Sequence, residues 1–373
     1  MKIIHISKYY PPYFGGIENV AYDLVEGVNK DEIQCDVICS NDTNESQIDQ
    51  VGNYSVFRVA RLAEIFSTPI CISMISKFLN IVKTYDIIHL HHPNPFASLS
   101  LFLALPFIKN KKLIVHWHSD IVKQKKLKCI FFPLQKVMLH RADLIVATSE
   151  PYLFSSKDLQ PYLLKSIVIP IGVESLVDMV NFDQVKEIKC LYKDKFIVFS
   201  LGRHVYYKGF QYLLDAAKEL SESTVILIGG DGPLTNELKA FVQDNNLQHK
   251  VFFLGKIPSE KLASYFYASD LFCLPSIEKS EAFGVVQIEA MSLGKPIVST
   301  HIEGSGVSWV NKNMESGLVV QVKDSHALSK AIQRMQHDIE LYKRLSEGAV
   351  KRYESLFSKK KMIENFVKLY RGK

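Results

Sequence analysis

The sequence has few cysteines and no long hydrophobic run, and both shortages exclude classes of protein. Its 373 residues contain six cysteines, and the two nearest each other, Cys35 and Cys39, have no histidine close enough to complete a zinc site. We therefore expect six reduced thiols, as in cytoplasmic proteins. Residues 99–108 are apolar over about half a membrane span and include Pro106, which predicts a buried helix. The opening M-K-I-I-H-I-S is too short for a signal peptide and predicts a first buried strand.

A strong excess of one charge is missing as well. The chain has 45 lysines and arginines against 39 acids, which leaves a net charge of +6. A nucleic-acid-binding protein would show a dominant basic face instead. Hydrophobic residues make up 47% of the chain, which excludes disorder, and the length suffices for two domains. We therefore expect a soluble, globular, two-domain protein that binds no nucleic acid.

Short runs of isoleucine, valine and leucine alternate with amphipathic segments along the chain. In the first half, the predicted strands cover residues 2–7, 35–39, 54–59, 87–91, 113–117 and 144–148. Such strands, separated by helices, indicate a parallel sheet covered on both faces, and ligands of such sheets bind beyond the carboxyl ends of the strands. A polar, charged stretch at 178–194 predicts a linker to a second domain. The predicted fold class is α/β, with two doubly wound domains.

The stretch S-E-A-F-G-V-V-Q-I-E-A-M carries two carboxylates between two predicted strands. Glu281 precedes a helix that is predicted to begin near Phe283, and Glu289 lies almost two turns further on, so both can face one crevice. The free N–H groups and the positive dipole at that helix start suit a phosphate. Two isolated glutamates would more often be a loop residue and a solvated helix residue. The flanking strands favour a ligand site.

Another predicted strand end in the second half of the chain carries two cations. The stretch F-I-V-F-S-L-G-R-H-V-Y-Y-K-G-F predicts a buried strand that runs into Arg203, with Lys208 five residues later at a helix start. An arginine fork and a lysine point charge form a clamp for a diphosphate. The next strand ends in G-G-D-G-P, where Gly230 lets backbone approach a ligand. That turn is neither a G-x-G-x-x-G fingerprint nor a P-loop.

The first half places glycines and histidines at its own strand ends. The loop K-Y-Y-P-P-Y-F-G-G-I-E brings Gly15 and Gly16 to the start of a helix over about 18–28, where backbone can approach a ligand closely. H-H-P-N and H-W-H-S-D end two neighbouring strands, and the second block comprises His116, His118 and Asp120. Two such clusters are site candidates. His-x-His with an aspartate also leaves a zinc site open.

Positive charge is concentrated between Lys109 and Arg141. This segment holds nine lysines and arginines and one acid, and its bases interleave with leucine, isoleucine and phenylalanine. Such a composition is typical of a helix that lies on an anionic membrane surface. The alternative is a packed helix with a solvated basic face, and Pro133 weakens either interpretation.

Together these motifs resemble the retaining glycosyltransferase family 4, whose GT-B fold has two doubly wound domains facing across a cleft. The resemblance rests on the E-x7-E frame, the G-R-x-x-x-x-K-G stretch, the G-G-I-E loop and the H-x-H-S-D block, and it covers nearly the whole chain. It implies an N-terminal acceptor-binding domain at 1–178 and a nucleotide-sugar-binding domain at 190–356. A last helix, at about 357–373, is expected to pack back on the first domain.

The resemblance also implies roles for individual residues. Glu281 would hold hydroxyls of the donor sugar and Glu289 the ribose, while Arg203 and Lys208 contact the donor phosphates. His118 would face the donor sugar, so the catalytic group is Glu281, His118, Arg203 and Lys208. Further donor contacts are expected at Gly15, Gly16, Gly230, Lys256, Ile257, Phe283, Gly284 and Val285, and acceptor contacts at His116 and Asp120.

The function that the resemblance implies is transfer of a hexose or deoxyhexose from a nucleoside diphosphate sugar to a hydroxyl, with retained anomeric configuration. The motifs are similar to those of bacterial enzymes that build O-antigen or exopolysaccharide with mannose or rhamnose. We therefore expect a saccharide or lipid-linked saccharide acceptor, and a cytoplasmic enzyme that associates peripherally with the inner face of the cytoplasmic membrane. The nucleotide sugar is a co-substrate, and no other cofactor and no metal are expected.

Two other functions stay open at this point. A sugar-nucleotide epimerase shares the fold, and a non-catalytic sugar-nucleotide-binding protein is possible because fold does not fix function. A glycogen-type phosphorylase is disfavoured because no pyridoxal-lysine context is found. Retention by same-face substitution and retention through a covalent intermediate both remain open.

Overall fold

The computed structural model describes residues 1–13, 15–31, 33–65, 68–120 and 125–372, and of residues 125–130 only the backbone. The chain divides into two compact units. The first comprises Met1–Ile171 together with Lys360–Lys373, and the second comprises Gly172–Lys359.

The first unit is built on an eight-stranded sheet. Its strands are β1 (Lys2–Ile6), β2 (Gln34–Ser40), β3 (Gln47–Val51), β4 (Tyr54–Val59), β7 (Ile87–His92), β8 (Lys112–Trp117), β9 (Leu144–Ala147) and β10 (Ser166–Val168). The order is β10-β9-β8-β7-β1-β2-β4-β3, parallel except for the edge strand β3, and a small hairpin of β5 (Ala63–Ile65) and β6 (Thr68–Ile70) lies apart. Parallel pairing places the carboxyl ends of seven strands at one edge.

Helices cover both faces of this sheet. They are α1 (Gly16–Lys30), α2 (Ser73–Ile81), α3 (Pro95–Ala104), α4 (Lys125–Arg141), α5 (Glu150–Ser155) and, from the end of the chain, α14 (Lys359–Tyr370). Helix α1 is amphipathic and buries Val20, Leu24 and Val28 at a spacing of four residues. Helix α14 buries Phe366 and Tyr370 in the same way.

The second unit holds a six-stranded, fully parallel sheet in the order β13-β12-β11-β14-β15-β16. Its strands are β11 (Phe196–Leu201), β12 (Thr224–Gly229), β13 (Val251–Gly255), β14 (Leu271–Leu274), β15 (Ile297–His301) and β16 (Gly317–Gln321). Its helices are α6 (Phe182–Leu191), α7 (Phe210–Ala217), α8 (Thr235–Asp244), α9 (Ser259–Ala268), α10 (Val285–Ser292), α11 (Val307–Val310), α12 (Ser325–His337) and α13 (Ile339–Arg352). Val198, Leu214 and Ile332 lie in one continuous buried core of strands and helices.

The segment predicted as a linker, 178–194, lies within the second unit and contains helix α6. Asn181 caps this helix, and its backbone N–H donates to Ser264 of α9. Phe182 packs edge-on against Tyr267 of α9. The sequence of this segment predicts a linker because most side chains of α6 face solvent. One side of α6 nevertheless packs against α9 of the second unit. The change of unit occurs earlier, between Ile171 and Gly172.

The apolar run at 99–108 is helical, as expected, but the prediction that it is buried is wrong in part. Helix α3 and the 3-10 turn Leu105–Phe107 bury Leu101 and Ala104. Phe102, Leu103 and Phe107 are between 40% and 49% exposed. The sequence of this run does not indicate which face of the helix is buried, because apolar residues occur on all sides of it.

Helix α4 carries part of the basic segment and continues through Pro133. Its second half buries Gln135, Met138 and Leu139 while Phe132 is exposed. Four lysines of the segment predicted to lie on a membrane surface, Lys123, Lys125, Lys126 and Lys128, are outside the residues whose side chains are described. No helix among the described residues is long and apolar enough to span a bilayer, and the five cysteines described, Cys35, Cys39, Cys71, Cys190 and Cys273, are free thiols.

Candidate functional site

Two neighbouring strand ends bring the charged motif residues of the second unit together. Strands β11 and β14 are adjacent and parallel, so the loops that follow them emerge side by side. The Lys208 ammonium lies 2.6 Å from a Glu281 carboxylate oxygen, and each side chain is only 12% exposed. Ser276 donates a hydrogen bond to the same oxygen at 3.1 Å. The structure therefore joins the predicted phosphate-binding lysine to the predicted sugar-binding glutamate.

The charge of Lys208 is held in place by this glutamate. Burial disfavours the charged ammonium, but the contact with Glu281 outweighs it, and the pKa of Lys208 is raised above its ordinary value. A buried pair of this kind leaves a costly unpaired charge when one partner is removed. Glu281 and Lys208 are consequently a unit, and a ligand must compete with one partner for the other.

Arg203 supplies the uncompensated charge of this cluster. Its guanidinium is exposed and has no ion pair among the residues described. Burial raises the pKa of Tyr207, and Lys208, Glu281 and Arg203 all act on that hydroxyl, which places the three charges around one tyrosine. Two cations and one carboxylate leave a net positive charge at the strand ends, as a diphosphate requires.

Glycines set the backbone of these loops. Gly209 has φ 68°, and a Cβ there would collide with the carbonyl oxygen of Pro275 after β14. Gly230 has φ 109°, and a Cβ there would collide with the carbonyl oxygen of Gly202. The close approach predicted at Gly230 is thus made by a neighbouring backbone, and a role toward a ligand stays a prediction.

Helix α10 begins at Val285, two residues later than predicted, with Gly284 as its cap at φ 76°. The left-handed cap suits glycine, and it frees the first N–H groups of the helix. The Phe283 ring is buried against Trp309 and Phe357. Phe283 therefore belongs to the core, and only its backbone is left for the predicted donor contact.

Glu289 is largely buried on α10, and its carboxylate has no hydrogen-bond partner in the described part of the chain. Burial raises its pKa from 4.5 to about 7. A carboxyl group in this state gains from a partner that donates hydrogen bonds, such as a pair of sugar hydroxyls. The ribose contact of Glu289 stays a prediction, and the burial of its unpartnered carboxyl group is compatible with it.

Lys256 and Ile257 follow β13, two strands from β11 in the sheet. Lys256 is exposed, and Ile257 packs on Gly229 at the end of β12. Hydrogen bonds from Thr235 and Gly232, with the charge of Lys256 behind them, lower the pKa of Asp231. These two predicted donor-contacting residues thus lie at the same sheet edge as Gly230.

The first unit gathers five histidines on one face of its sheet. The register pairs His5 with His89 and His91 with His116, and alternation along β7 and β8 adds His118. All five rings are at most 5% exposed. Burial lowers the pKa of His5 and His118 to about 3 and that of the other three well below 6.5, so the rings are neutral.

Hydrogen bonds connect most of these rings to the C-terminal helix. His118 Nε2 lies 3.0 Å from His91 Nδ1, and His91 Nε2 lies 3.0 Å from His5 Nδ1. The Tyr370 hydroxyl of α14 is 3.1 Å from His5 Nε2 and 2.7 Å from His89 Nδ1. Within the described chain, His118 Nδ1, His89 Nε2 and both His116 nitrogens have no partner.

Two sets of three imidazoles could hold a metal ion: His5, His89 and His91, or His91, His116 and His118. Both sets include His91, whose two nitrogens already bond to neighbouring rings. Metal binding by either set would break one of those bonds. The hydrogen-bonded arrangement competes with a metal, and the expected absence of one stays a prediction.

Asp120 and His116 occupy positions that differ from an open acceptor site. The Asp120 carboxylate accepts hydrogen bonds from Trp117 Nε1 at 3.0 Å and from Ser156 at 2.7 Å, so it shapes the loop after β8. His116 is 1% exposed and packs against Phe366 of α14. Burial counts against a direct acceptor contact by His116, although both roles stay predictions.

Gly15 and Gly16 begin helix α1, as expected, with Gly15 as its cap. A Cβ at Gly15 would collide with the Glu18 carboxylate, whereas one at Gly16 would meet nothing within 4 Å. Open space at Gly16 is what close approach of a ligand to that backbone requires.

Three residues that bond to predicted site residues or to each other could not be singled out in advance: Ser276 in the second unit, and His5 and Tyr370 in the first. Ser276 could be suspected from its place just after β14. His5 offers the signal of a histidine alternating into the same face as His89 and His91. No local sequence pattern indicates Tyr370, because its hydrogen-bond partners His89 and His5 lie 281 and 365 residues away in the chain.

Each of the two units matches a family of known proteins. Residues 14–174 match the family described as Glycosyltransferase Family 4, and residues 181–352 match Glycosyl transferases group 1. O-antigen chain mannosyltransferase C of Escherichia coli is 35% identical over 99% of this chain and 98% of its own length. D-rhamnosyltransferase WbpZ of Pseudomonas aeruginosa is 31% identical over 96% and 92%.

Two solved structures have the same fold. Sucrose-phosphate synthase from Thermosynechococcus elongatus aligns with TM-score 0.78 at 22% identity, covering 100% of this chain and 98% of the other. Anabaena HepE in complex with UDP aligns with TM-score 0.77 at 19% identity, with complete coverage of both chains. These likenesses confirm the predicted fold.

Glu289 makes a pH prediction. The folded protein holds the proton of the Glu289 carboxyl group more tightly than the unfolded chain does. Protonated Glu289 therefore favours the folded state at low pH, and this contribution to the free energy of unfolding is lost as pH rises through about 7. Between pH 5.5 and pH 8 it contributes a change of about 2 kcal/mol in the free energy of unfolding. Urea unfolding should show Glu289→Gln gaining that much relative to wild type over this range. Parallel pH profiles for the two proteins would contradict the raised pKa.

Gly209 makes a stability prediction. Gly209→Ala combines a strained positive φ with a collision against Pro275, and it should lower the free energy of unfolding by about 2–3 kcal/mol. The matched control is Gly52→Ala, because Gly52 has φ 55° but nothing within 4 Å of a Cβ. The control should lose about 1 kcal/mol. Equal losses in urea unfolding would show that the collision does not matter.

Proposed function

The chain belongs to the glycosyltransferase family 4 and has its GT-B fold, and from that premise we propose that it moves a hexose or deoxyhexose from a nucleoside diphosphate sugar to a hydroxyl with retained anomeric configuration. The observation that carries the proposal is the cluster of Arg203, Lys208 and Glu281 at adjacent strand ends. It combines a clamp for a diphosphate with a carboxylate for sugar hydroxyls.

The clamp serves the breaking of the anomeric bond. As the bond between the anomeric carbon and the phosphate oxygen breaks, negative charge develops on the diphosphate, and cations fixed in advance stabilise it. Arg203 is uncompensated, while Lys208 is paired with Glu281 at 2.6 Å. A donor diphosphate attracts Lys208, and Glu281 is then available to accept hydrogen bonds from the sugar. Support for retention comes from the E-x7-E frame.

The same charges argue against a metal at this site. Divalent cations such as Mg²⁺ are held by carboxylates that carry uncompensated charge. Glu281 is neutralised by Lys208, and Arg203 adds further positive charge. We therefore propose that the nucleotide sugar is the co-substrate and that no metal assists the diphosphate.

The relatives suggest the substrates. Proteins named as an O-antigen mannosyltransferase and a D-rhamnosyltransferase share about a third of this sequence over nearly its full length. We infer a mannose-like or rhamnose-like donor sugar, and an acceptor that is a lipid-linked saccharide of surface polysaccharide synthesis. Such an acceptor places the enzyme at the inner face of the cytoplasmic membrane.

The first unit has a surface that suits this location. Phe102, Leu103 and Phe107 are exposed on α3 and the turn after it, and Phe132 is exposed on α4. Helices α3 and α4 pack together, and the Lys83 ammonium lies 4.9 Å from the centre of the Phe107 ring. We define these four apolar residues as the aromatic patch. Exposed aromatics beside lysines suit anionic headgroups.

The clamp prediction concerns turnover. Arg203→Ala and Lys208→Ala should each lower kcat/KM for the donor. The decrease should correspond to a loss of about 2–4 kcal/mol of transition-state stabilisation. The control is Lys218→Ala, a surface lysine that pairs with Asp215 and lies over the Phe241 ring, and it should turn over as wild type. Glu281→Gln should lower kcat with the fold retained. Donor turnover as in wild type for both clamp variants would refute the clamp.

Product analysis separates the three candidate functions. A transferase hydrolyses the donor slowly without acceptor and glycosylates an acceptor when one is added. An epimerase would return a different nucleotide sugar, and a binding protein would leave the donor unchanged. The donor itself is found by screening nucleotide sugars for thermal stabilisation, since ligand at a hundred times its dissociation constant adds about 2.7 kcal/mol.

The aromatic patch makes a membrane prediction. A triple variant, Phe102→Ser, Phe107→Ser and Phe132→Ser, should bind phosphatidylglycerol-containing vesicles about tenfold or more weakly, because each ring loses apolar burial. Phe154→Ser is the matched control, since Phe154 is 58% exposed on α5. Binding is measured by vesicle sedimentation at low and high salt. A wild-type protein that ignores these vesicles at low salt would refute the membrane surface.

A further inference from the structure

A groove crosses the first unit at the carboxyl ends of β1, β2 and β4. Its smaller part is a cavity of about 170 Å³ between the loops that follow β1 and β2. Its larger part is a cavity of about 380 Å³ between the edge strand β3 and helix α2. Gln47 and Arg58 line both cavities, so the two are neighbouring parts of one groove. The candidate site residues described above line neither part.

Two stacked tyrosines form one wall of the smaller cavity. The ring centroids of Tyr9 and Tyr13 lie 4.2 Å apart, and the ring planes differ by 28°. The Tyr9 hydroxyl donates to Glu64 at 2.8 Å and accepts from Arg61 at 3.2 Å, so this buried ring is fixed. Tyr13 is stacked on it and is 43% exposed. The electron-rich face of such a ring attracts weakly positive hydrogens, and a sugar ring presents these on its C–H face.

Two side chains hold the loops of the smaller cavity in place. The Arg58 guanidinium donates to the carbonyl oxygens of Tyr10, at 3.2 Å, and Pro11. It also pairs with Asp49 of β3 at 2.6 Å. The Asn41 amide donates two hydrogen bonds within the loop after β2. A groove whose walls are fixed before the ligand arrives loses less conformational entropy on binding.

The charges of the smaller cavity favour a neutral ligand. Arg58 is compensated by Asp49, whereas the exposed Asp42 carboxylate has no ion pair among the described residues. A phosphate would meet that negative charge, but a hydroxyl can donate a hydrogen bond to it. Gln47 gives an amide N–H to Asp49 at 3.1 Å and keeps its amide oxygen for another donor. The lining therefore combines an aromatic face with acceptors for hydroxyl groups.

Small polar side chains line the larger cavity. Ser76 and Asn80 come from α2, and Ser46 comes from the loop before β3. The Lys77 ammonium adds a positive charge and lies 4.6 Å from the centre of the Phe57 ring. The volume of this cavity is within the range of small-molecule sites, about 300–1,000 Å³. Hydroxyls and an amide supply both donors and acceptors, which a ligand with many hydroxyl groups requires.

We propose that this groove binds sugar units of a neutral acceptor saccharide beyond the unit that receives the transferred sugar, with Tyr13 as the stacking platform of the smaller cavity. The identity of the ligand as an acceptor rests on the proposed function, whereas saccharide binding itself needs only the first unit. Two adjoining cavities accommodate more than one sugar unit. The groove therefore makes the enzyme prefer an acceptor chain to a single sugar.

Ligand-observed NMR titration of the full chain, without donor, tests the groove. The probes are methyl mannoside, methyl rhamnoside and linear trisaccharides of mannose and of rhamnose. At least one trisaccharide should bind about tenfold or more tightly than its methyl glycoside, since further units add contacts in both cavities. Tyr13→Ala should weaken trisaccharide binding about three- to tenfold, the scale of one aromatic stacking contact. Tyr13→Phe should bind as wild type, because stacking needs the ring and not the hydroxyl.

A second variant obstructs the larger cavity. Ser76 is exposed and lines this cavity, so Ser76→Trp should remove the preference for the trisaccharide while the methyl glycoside binds as in wild type. The matched control is Thr84→Trp, because Thr84 is exposed in the turn after α2 and lines neither cavity. This control should keep the wild-type preference. Urea unfolding of each variant identifies any loss of the fold.

Equal affinity of the wild-type protein for trisaccharides and methyl glycosides would overturn the proposal. So would unchanged trisaccharide binding in either Tyr13→Ala or Ser76→Trp. Binding is measured without donor, so failure of the proposed function would appear separately, as an absence of donor turnover in wild type.

Discussion

Parallel strand pairing is the constraint on which both units depend. It sends the carboxyl end of each paired strand to one sheet edge, so residues far apart in sequence meet without any long-range signal of their own. Lys208 and Glu281 are 73 residues apart and form an ion pair because β11 and β14 are neighbours. His5, His91 and His118 bond to each other because β1, β7 and β8 are neighbours in register.

The two units solve the problem of buried polar groups in different ways. The second unit buries a cation and an anion against each other, which avoids an isolated charge but leaves each partner available for exchange. The first unit keeps five buried imidazoles neutral, and hydrogen bonds link four of them: His5, His91 and His118 directly, and His89 through Tyr370. An exchangeable pair suits a ligand that brings its own charge, such as a diphosphate. A neutral chain suits a ligand group that brings only a hydrogen bond.

Much of the fold and of the charged cluster could be predicted from the sequence, for reasons visible in particular residues. The strand at 54–59 was predicted with the bounds it has, and the family and its fold were confirmed. Arg203, Lys208 and Glu281 stand in short motifs with local spacing. The edge strand β3 was missed because Gln47–Val51 is polar and mostly exposed, and helix α6 was taken for a linker because only one side of it docks.

What local patterns cannot show is how protons and partners are shared among distant side chains. Histidines at strand ends were recognised as site candidates, but their order in a chain depends on register, and its end depends on Tyr370 from the last helix. The same holds for Lys208, whose charge is used by Glu281 until a ligand competes for it. In both units, a motif names the side chains, whereas the state in which each one meets a substrate is set by its neighbours across the sheet. The paired ammonium of Lys208 is therefore a property of the folded sheet and not of the motif that contains it.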